Sequence, residues 1–167
     1  AAQGVDNPAA VARFSVTQFG LHNMTLSPGK SILYIDPYTE NRENYIVYVR
    51  SAISNASQSF ECLTNEEIHL PALENQILSE NTINAADDSK LRTYRLALSC
   101  TGEYGAIFAG NGTTLQKKAN IQAQMAITMT RVNGVYEQDL AITMIFVANN
   151  DLIIYFNEFT DPWTGEY

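Results

Sequence analysis

Basic residues are scarce in this chain: 10 Lys and Arg stand against 18 Asp and Glu among 167 residues, a formal charge of −8. A nucleic-acid groove or a face for an anionic membrane needs clustered positive charge, so the composition argues against both. Cysteine is equally sparse. Cys62 and Cys100 are too few for a disulfide scaffold and are not spaced as a metal clip. The two histidines, His22 and His69, lack a second His or Cys three or four residues on, whereas a catalytic zinc takes three protein ligands. Both read as surface residues. Long apolar runs are missing as well. The longest, around Leu140 to Val147, falls far short of the roughly 20 residues that cross a bilayer, so no membrane insertion is expected. Ala1-Ala2-Gln3-Gly4 has neither the basic region nor the apolar core of a signal peptide, and any export signal is expected upstream.

What is present divides into three stretches. Between Ala12 and Val49, short runs rich in Val, Ile, Tyr and Phe alternate with turn residues, the pattern of an all-β antiparallel meander. Strands are predicted at Ala12 to Phe19, Leu21 to Leu26, Ile32 to Asp36 and Tyr45 to Arg50. Pro28-Gly29 suits a type II turn, because Pro presets its own φ and Gly accepts a positive one. Tyr45-Ile46-Val47-Tyr48-Val49 shows no clean polar alternation, so this sheet is expected to meet another surface. From Glu61 to Lys90 the chain turns to Glu, Asn, Asp, Ser and Thr. A loop of that length is unusual inside a compact domain and reads as a linker.

From Leu91 onward the pattern becomes β-α-β. Tyr94 to Cys100 reads as a strand. Thr113 or Thr114 caps a helix with Leu115, Ala119, Gln122, Ala126 and Met129 on its apolar stripe, joined by Ile121, Met125 and Val132. Asn133-Gly134 is expected to end it, since both tolerate the left-handed conformation. Asp139 to Val147 then reads as a strand covered on both faces, and Leu152 to Phe156 as further extended chain. The fold class is α+β overall.

The chemical signals are few. Gly105 to Thr113 sits where a phosphate-binding loop would sit, but Asn111 and Gly112 replace its Lys and its Ser or Thr, leaving a glycine-rich connector. No Ser, His and Asp constellation is justified. The pairs Glu66-Glu67 and Asp87-Asp88 read as solvated linker charge. Asn23, Asn55 and Asn111 begin glycosylation sequons at about the frequency of chance. Cys62, in Ser59-Phe60-Glu61-Cys62, stands where the sheet-rich region ends and the linker begins. A thiolate on a removable segment can fill the open position of a catalytic zinc, although the residues alone favour a buried thiol or a Cys62-Cys100 disulfide.

The order of several phrases carries a resemblance. Ala12-Arg13-Phe14, Phe19-Gly20-Leu21-His22, Tyr34-Ile35-Asp36-Pro37-Tyr38, Tyr45-Ile46-Val47-Tyr48 and Phe60-Glu61-Cys62 resemble the last half of the propeptide of bacterial reprolysin-like zinc metalloendopeptidases, which are metzincins. Leu91 to Tyr104 is similar to the opening strand of their catalytic domain. Phe146 to Tyr155 and Asp161-Pro162-Trp163 are similar to phrases at and after its second strand. The resemblance implies residues 1–62 as propeptide, 63–90 as processing linker and 91–167 as the first β-α-β of the catalytic domain. It implies a secreted or cell-surface parent that hydrolyses peptide bonds with a zinc-activated water, its zinc held by a His-Glu-x-x-His-x-x-Gly-x-x-His helix beyond Tyr167. This chain alone is then inactive and holds no zinc. Its partners are the rest of its catalytic domain and, for the parent, protein or peptide substrates. Cys62 is implied as an inhibitory zinc ligand in the latent parent, and Lys90 and Arg92 as processing sites. The rival reading, from a different class, is a non-catalytic surface binding module whose Tyr-rich sheet, Tyr34 to Tyr48, is a recognition face.

Overall fold

The computed structural model describes residues 1–53 and 89–163. The meander is present: β1 (Ala2–Gln3), β2 (Val11–Thr17), β3 (Gly20–Leu26), β4 (Leu33–Pro37) and β5 (Tyr45–Val49) form one antiparallel sheet in chain order. Its turns obey their chemistry. Gly29 has φ 71° after Pro28, and the Lys30 N–H donates to the Ser27 carbonyl at 3.1 Å. The register places Arg13 opposite Met24, Ser15 opposite His22, Met24 opposite Tyr34 and Tyr34 opposite Tyr48. Since side chains alternate faces, Arg13, Ser15, His22, Met24, Tyr34, Asp36 and Tyr48 share one face of the sheet.

That face is covered by the second half of the chain. After β6 (Arg92–Leu96) come α1 (Gly102–Ala109), α2 (Thr114–Leu140) and β7 (Ile142–Phe146), and β6 pairs with β7 in parallel. The fold is mixed α+β. The 27-residue α2 packs on β2 and β3 on one side and on β7 and α1 on the other, so it is the layer between the two sheets. Ile121 and Met125 join Cys100, Ala109 and Ile154 in the main core, with Phe108, Phe146 and Phe156 around them. Ile127 is also buried, and Arg131 and Gly134 continue the stripe that faces the meander.

Several sequence expectations need correction. The helix does not end at Asn133-Gly134 but at Leu140, with Ala141 in the left-handed region at φ 52°. Asn133 is a bridge instead of a cap: its Nδ2 donates to the Met144 carbonyl and its Oδ1 accepts from the Met144 N–H, both at 2.9 Å. Gly134 serves close approach, since a Cβ there would lie 3.0 Å from the Met24 sulfur. The apolar stripe holds only in part. Ile121 and Met125 are buried as expected, but Leu115 and Ala119 are exposed and Ile127, outside the expected set, is buried, because a helix with two buried sides blurs a single 3.6-residue stripe.

The glycine-rich connector is largely helical. Thr101 caps α1 by accepting from the Tyr104 N–H at 3.4 Å. Gly102 and Gly105 lie under the returning chain, where a Cβ would run into the Asn157–Glu158 peptide and the Tyr155 carbonyl respectively. The strand expected to reach Cys100 stops at Leu96, and Cys100 keeps only an isolated parallel bridge to Ile154. Buried Asn150 fills the gap, bonding both the N–H and the C=O of Leu98 at 2.9 and 3.0 Å. Part of the run expected to be extended, up to Ile153, is a 3-10 turn from Asn150.

Candidate functional site

The densest polar cluster lies in the seam between the meander and α2. Asp36, on β4, accepts from Tyr48 on β5 at 2.5 Å, lies 2.8 Å from His22 Nδ1 on β3, and receives Arg131 of α2 on both oxygens at 2.6 Å. The same guanidinium sits 5.2 Å from the Tyr34 ring centroid, and Tyr34 stacks on Tyr48 at 5.3 Å. Register makes this arrangement unavoidable. Residues 34 and 36 lie two apart on one face of β4, with 48 and 22 on the flanking strands, so four side chains converge where one helical cation can reach them.

Burial pushes the Asp36 carboxyl up, but the bonds from Tyr48 and His22 and the Arg131 charge outweigh it and hold the group below its ordinary range. Tyr48 moves the other way. Its phenol is raised by burial and by the Asp36 carboxylate it serves. The cluster therefore stays ionised on Asp36 and neutral on Tyr48 at neutral pH.

A second ion pair crosses the seam between Arg13 of β2 and Glu137 of α2. Arg13 retains its charge although burial lowers its pKa. The two pairs have opposite sense: the sheet offers Arg13 and Asp36, and the helix offers Glu137 and Arg131. Reversing the helix on the sheet would set like charges together, so the crossed pairs fix its direction. Gln18, in the turn between β2 and β3, adds a third link to the Asn120 side chain at 3.1 Å. A cavity of about 340 Å³ beside Arg13, Glu137 and Gly134 shows that the seam is not packed throughout.

The seam also places Ser15, His22 and Asp36 on adjacent strands, a serine-hydrolase set by residue type. It is not one by geometry. Ser15 Oγ and His22 Nε2 are both buried and without a hydrogen-bond partner among the described residues, so no base activates the hydroxyl and no substrate reaches it. His22 is not the surface residue the sequence suggested. Asp36 and Arg131 were not singled out there, and the one legible hint was an acidic residue alternating with Tyr34 in a strand.

The other residues marked in the sequence fall as follows. Cys62, His69, Asn55, Glu66, Glu67, Asp87 and Asp88 lie outside the described residues. Cys100 is a buried thiol whose Sγ donates to the Tyr155 carbonyl at 3.3 Å. Burial chiefly, with Asp161 nearby, raises its pKa, which makes it a poor nucleophile. Lys90 precedes β6, while Arg92 begins it and donates its backbone N–H to Ala141 at 2.8 Å. Tyr34 and Tyr48 face α2, whereas Tyr38 is exposed. Gly105 lies inside α1, so no phosphate-binding loop forms there. Among the described residues no group of three His, Cys, Asp or Glu gathers as a metal site, and the same residues include no helix long and apolar enough to cross a membrane.

A scan against family models, a search of curated proteins and a search of solved structures each return no match to this chain.

Proposed function

We propose that the chain is the junction of a secreted, reprolysin-type zinc metalloendopeptidase, in which the meander is the back of the propeptide and the β-α-β unit the opening of the catalytic domain. The observation that carries the reading is the seam. A sheet formed before the polar stretch is clasped by two crossed ion pairs to the helix formed after it, and such a clasp supports the reading of an inhibitory segment held on its enzyme. The phrase order from Ala12 to Trp163 supports the same assignment. The rival surface-module reading gains nothing from Tyr34 and Tyr48, which are spent on Asp36 and on each other.

The described residues hold no zinc set, and they supply no hydrolytic step. Their role is binding and orientation: Asp36, Arg131, Arg13 and Glu137 keep the meander on α2. Cys62 would ligate the zinc of the latent parent as a thiolate and exclude its water. The test uses the parent precursor, extended beyond Tyr167. Peptide hydrolysis should be absent before cleavage within residues 63–90, present after it, and abolished by a chelator. A coding sequence without the zinc helix, or a processed chain that stays inert with zinc, overturns the reading.

A further inference from the structure

Among the described residues, the outer edge of β5 is an open hydrogen-bonding row. The bonds from Arg50 N–H to Ile32 and from Tyr38 N–H to Asn44, both 2.9 Å, bracket the β4–β5 pair. In an antiparallel ladder the residues that bond a given neighbour alternate, so 46 and 48 point their backbone groups at β4. Tyr45, Val47 and Val49 point theirs outward, and β5 has no second strand neighbour among the described residues. The devices that usually protect an edge are missing here. The five residues carry no charge, no proline and no bulge in their register. The opposite edge differs, since β1 is only two residues long and covers only the start of β2.

We infer that this edge pairs with the same edge of a second copy of the chain, antiparallel about a two-fold axis through Val47. The self-complementarity is specific. Val47 then bonds Val47 of the second copy, and Tyr45 bonds its Val49 and the reverse, two bonds in each of three pairs, which uses every outward group. Tyr45 meets Val49 as an aromatic and β-branched cross-strand pair, and no like charges are opposed within the strand. The axis is perpendicular to the sheet, so both copies of α2 lie on the same side. Because α2 packs over β2 and β3, it stays clear of the new seam. The result is a continuous ten-stranded sheet.

Stacking of the uncovered faces is the competing geometry for a dimer. That face carries Phe14, Val16 and Val47, but Asn23 and Thr25 occupy its central strand, where the Asn23 side chain donates to Thr25 Oγ1 at 3.0 Å. Face-to-face packing would bury those polar groups, whereas edge pairing leaves them in water. An edge of five residues buries less than the roughly 800 Å² per partner of a standard interface, so the dimer is concentration-dependent, and its net charge of −8 per chain makes salt favour it.

The test is sedimentation of the purified chain from low micromolar to near-millimolar concentration, with hydrogen exchange on the same samples. The expected result is a mass rising toward two chains and concentration-dependent protection of the Val47 and Val49 amides. Val47→Pro removes an outward donor without touching the β4 ladder, and Val47→Lys opposes two cations across the axis. Each should return the mass to one chain with the circular dichroism unchanged. Val16→Lys, on the uncovered face of β2, should leave the dimer intact. A monomer throughout the range, a dimer that survives Val47→Pro, or a dimer lost in Val16→Lys each overturns the inference.

Discussion

Arg131 Nη2 lies 2.6 Å from both carboxylate oxygens of Asp36, across 95 residues of sequence. The pair joins β4 to α2 and places a helical cation on the face of Tyr34. Removing its two members should not cost the same. Arg131→Ala leaves Asp36 with Tyr48 and His22 and exposes a site already partly open, so urea denaturation should show a loss of about 1 kcal/mol. Asp36→Ala strands three donors at once and should cost about 2–3 kcal/mol. Equal losses would mean that the cluster is not centred on Asp36.

Acid should act through the same carboxylate. The Asp36 pKa is lower folded than unfolded, so its contribution is complete above the ordinary carboxylate pKa, near 4, and is lost as pH falls through the folded value. Asp36→Asn should therefore be less stable than wild type at neutral pH, and the difference should shrink in acid. Thermal melts at a series of pH values measure it. A difference that grows on acidification contradicts the assignment.

Asn133→Ala should be costlier than an exposed helical substitution, although alanine is the better helix former. It leaves both the N–H and the C=O of Met144 without the Asn133 carboxamide, and about 2 kcal/mol is expected. Hydrogen exchange should quicken at Met144 first.

Gly105→Ala should be the most damaging single methyl in the chain. The Tyr155 carbonyl occupies the space a Cβ needs, and backbone cannot swing aside as a side chain can. A loss of more than about 3 kcal/mol, or failure to fold, is expected, while Gly29→Ala, in open space but at φ 71°, should cost about 1 kcal/mol.

Limited trypsin should cut after Lys90 before it cuts after Arg92. Arg92 lies in β6, and its backbone N–H is engaged with Ala141, so cleavage after it requires the strand to open. Mass spectrometry of the first fragments distinguishes the two, and an initial cut after Arg92 would show that β6 frays before the chain ahead of it.

The meander was legible because local chemistry fixes it: runs of Val, Ile, Tyr and Phe between turn residues chose the strands, and Pro28-Gly29 chose a turn that only their φ values accommodate. The α2 start was legible for a similar reason, Thr113 and Gln116 closing a capping box, while β7 was legible only in part, since the strand expected from Asp139 begins at Ile142 and Asp139-Leu140 end the helix. The errors cluster where one residue type serves two purposes. Asn and Gly tolerate a helix end, but Asn133 bonds β7 and Gly134 makes room for Met24. Gly105 looks like a loop residue and is helical, because the chain that excludes its side chain arrives 50 residues later, at Tyr155.

The sequence by itself determined the α+β class, the antiparallel order of the first sheet and the N-terminal cap of the long helix, since each depends on neighbours within a few positions. Only the tertiary structure decided which face of the sheet is covered, and that His22, Asp36, Tyr48 and Arg131 form one cluster. The periodicity of each element reveals that it has a face. Which two faces meet depends on shape and charge matched between segments far apart in the chain, and here the crossed pairs Arg13 with Glu137 and Asp36 with Arg131 supply the charge match.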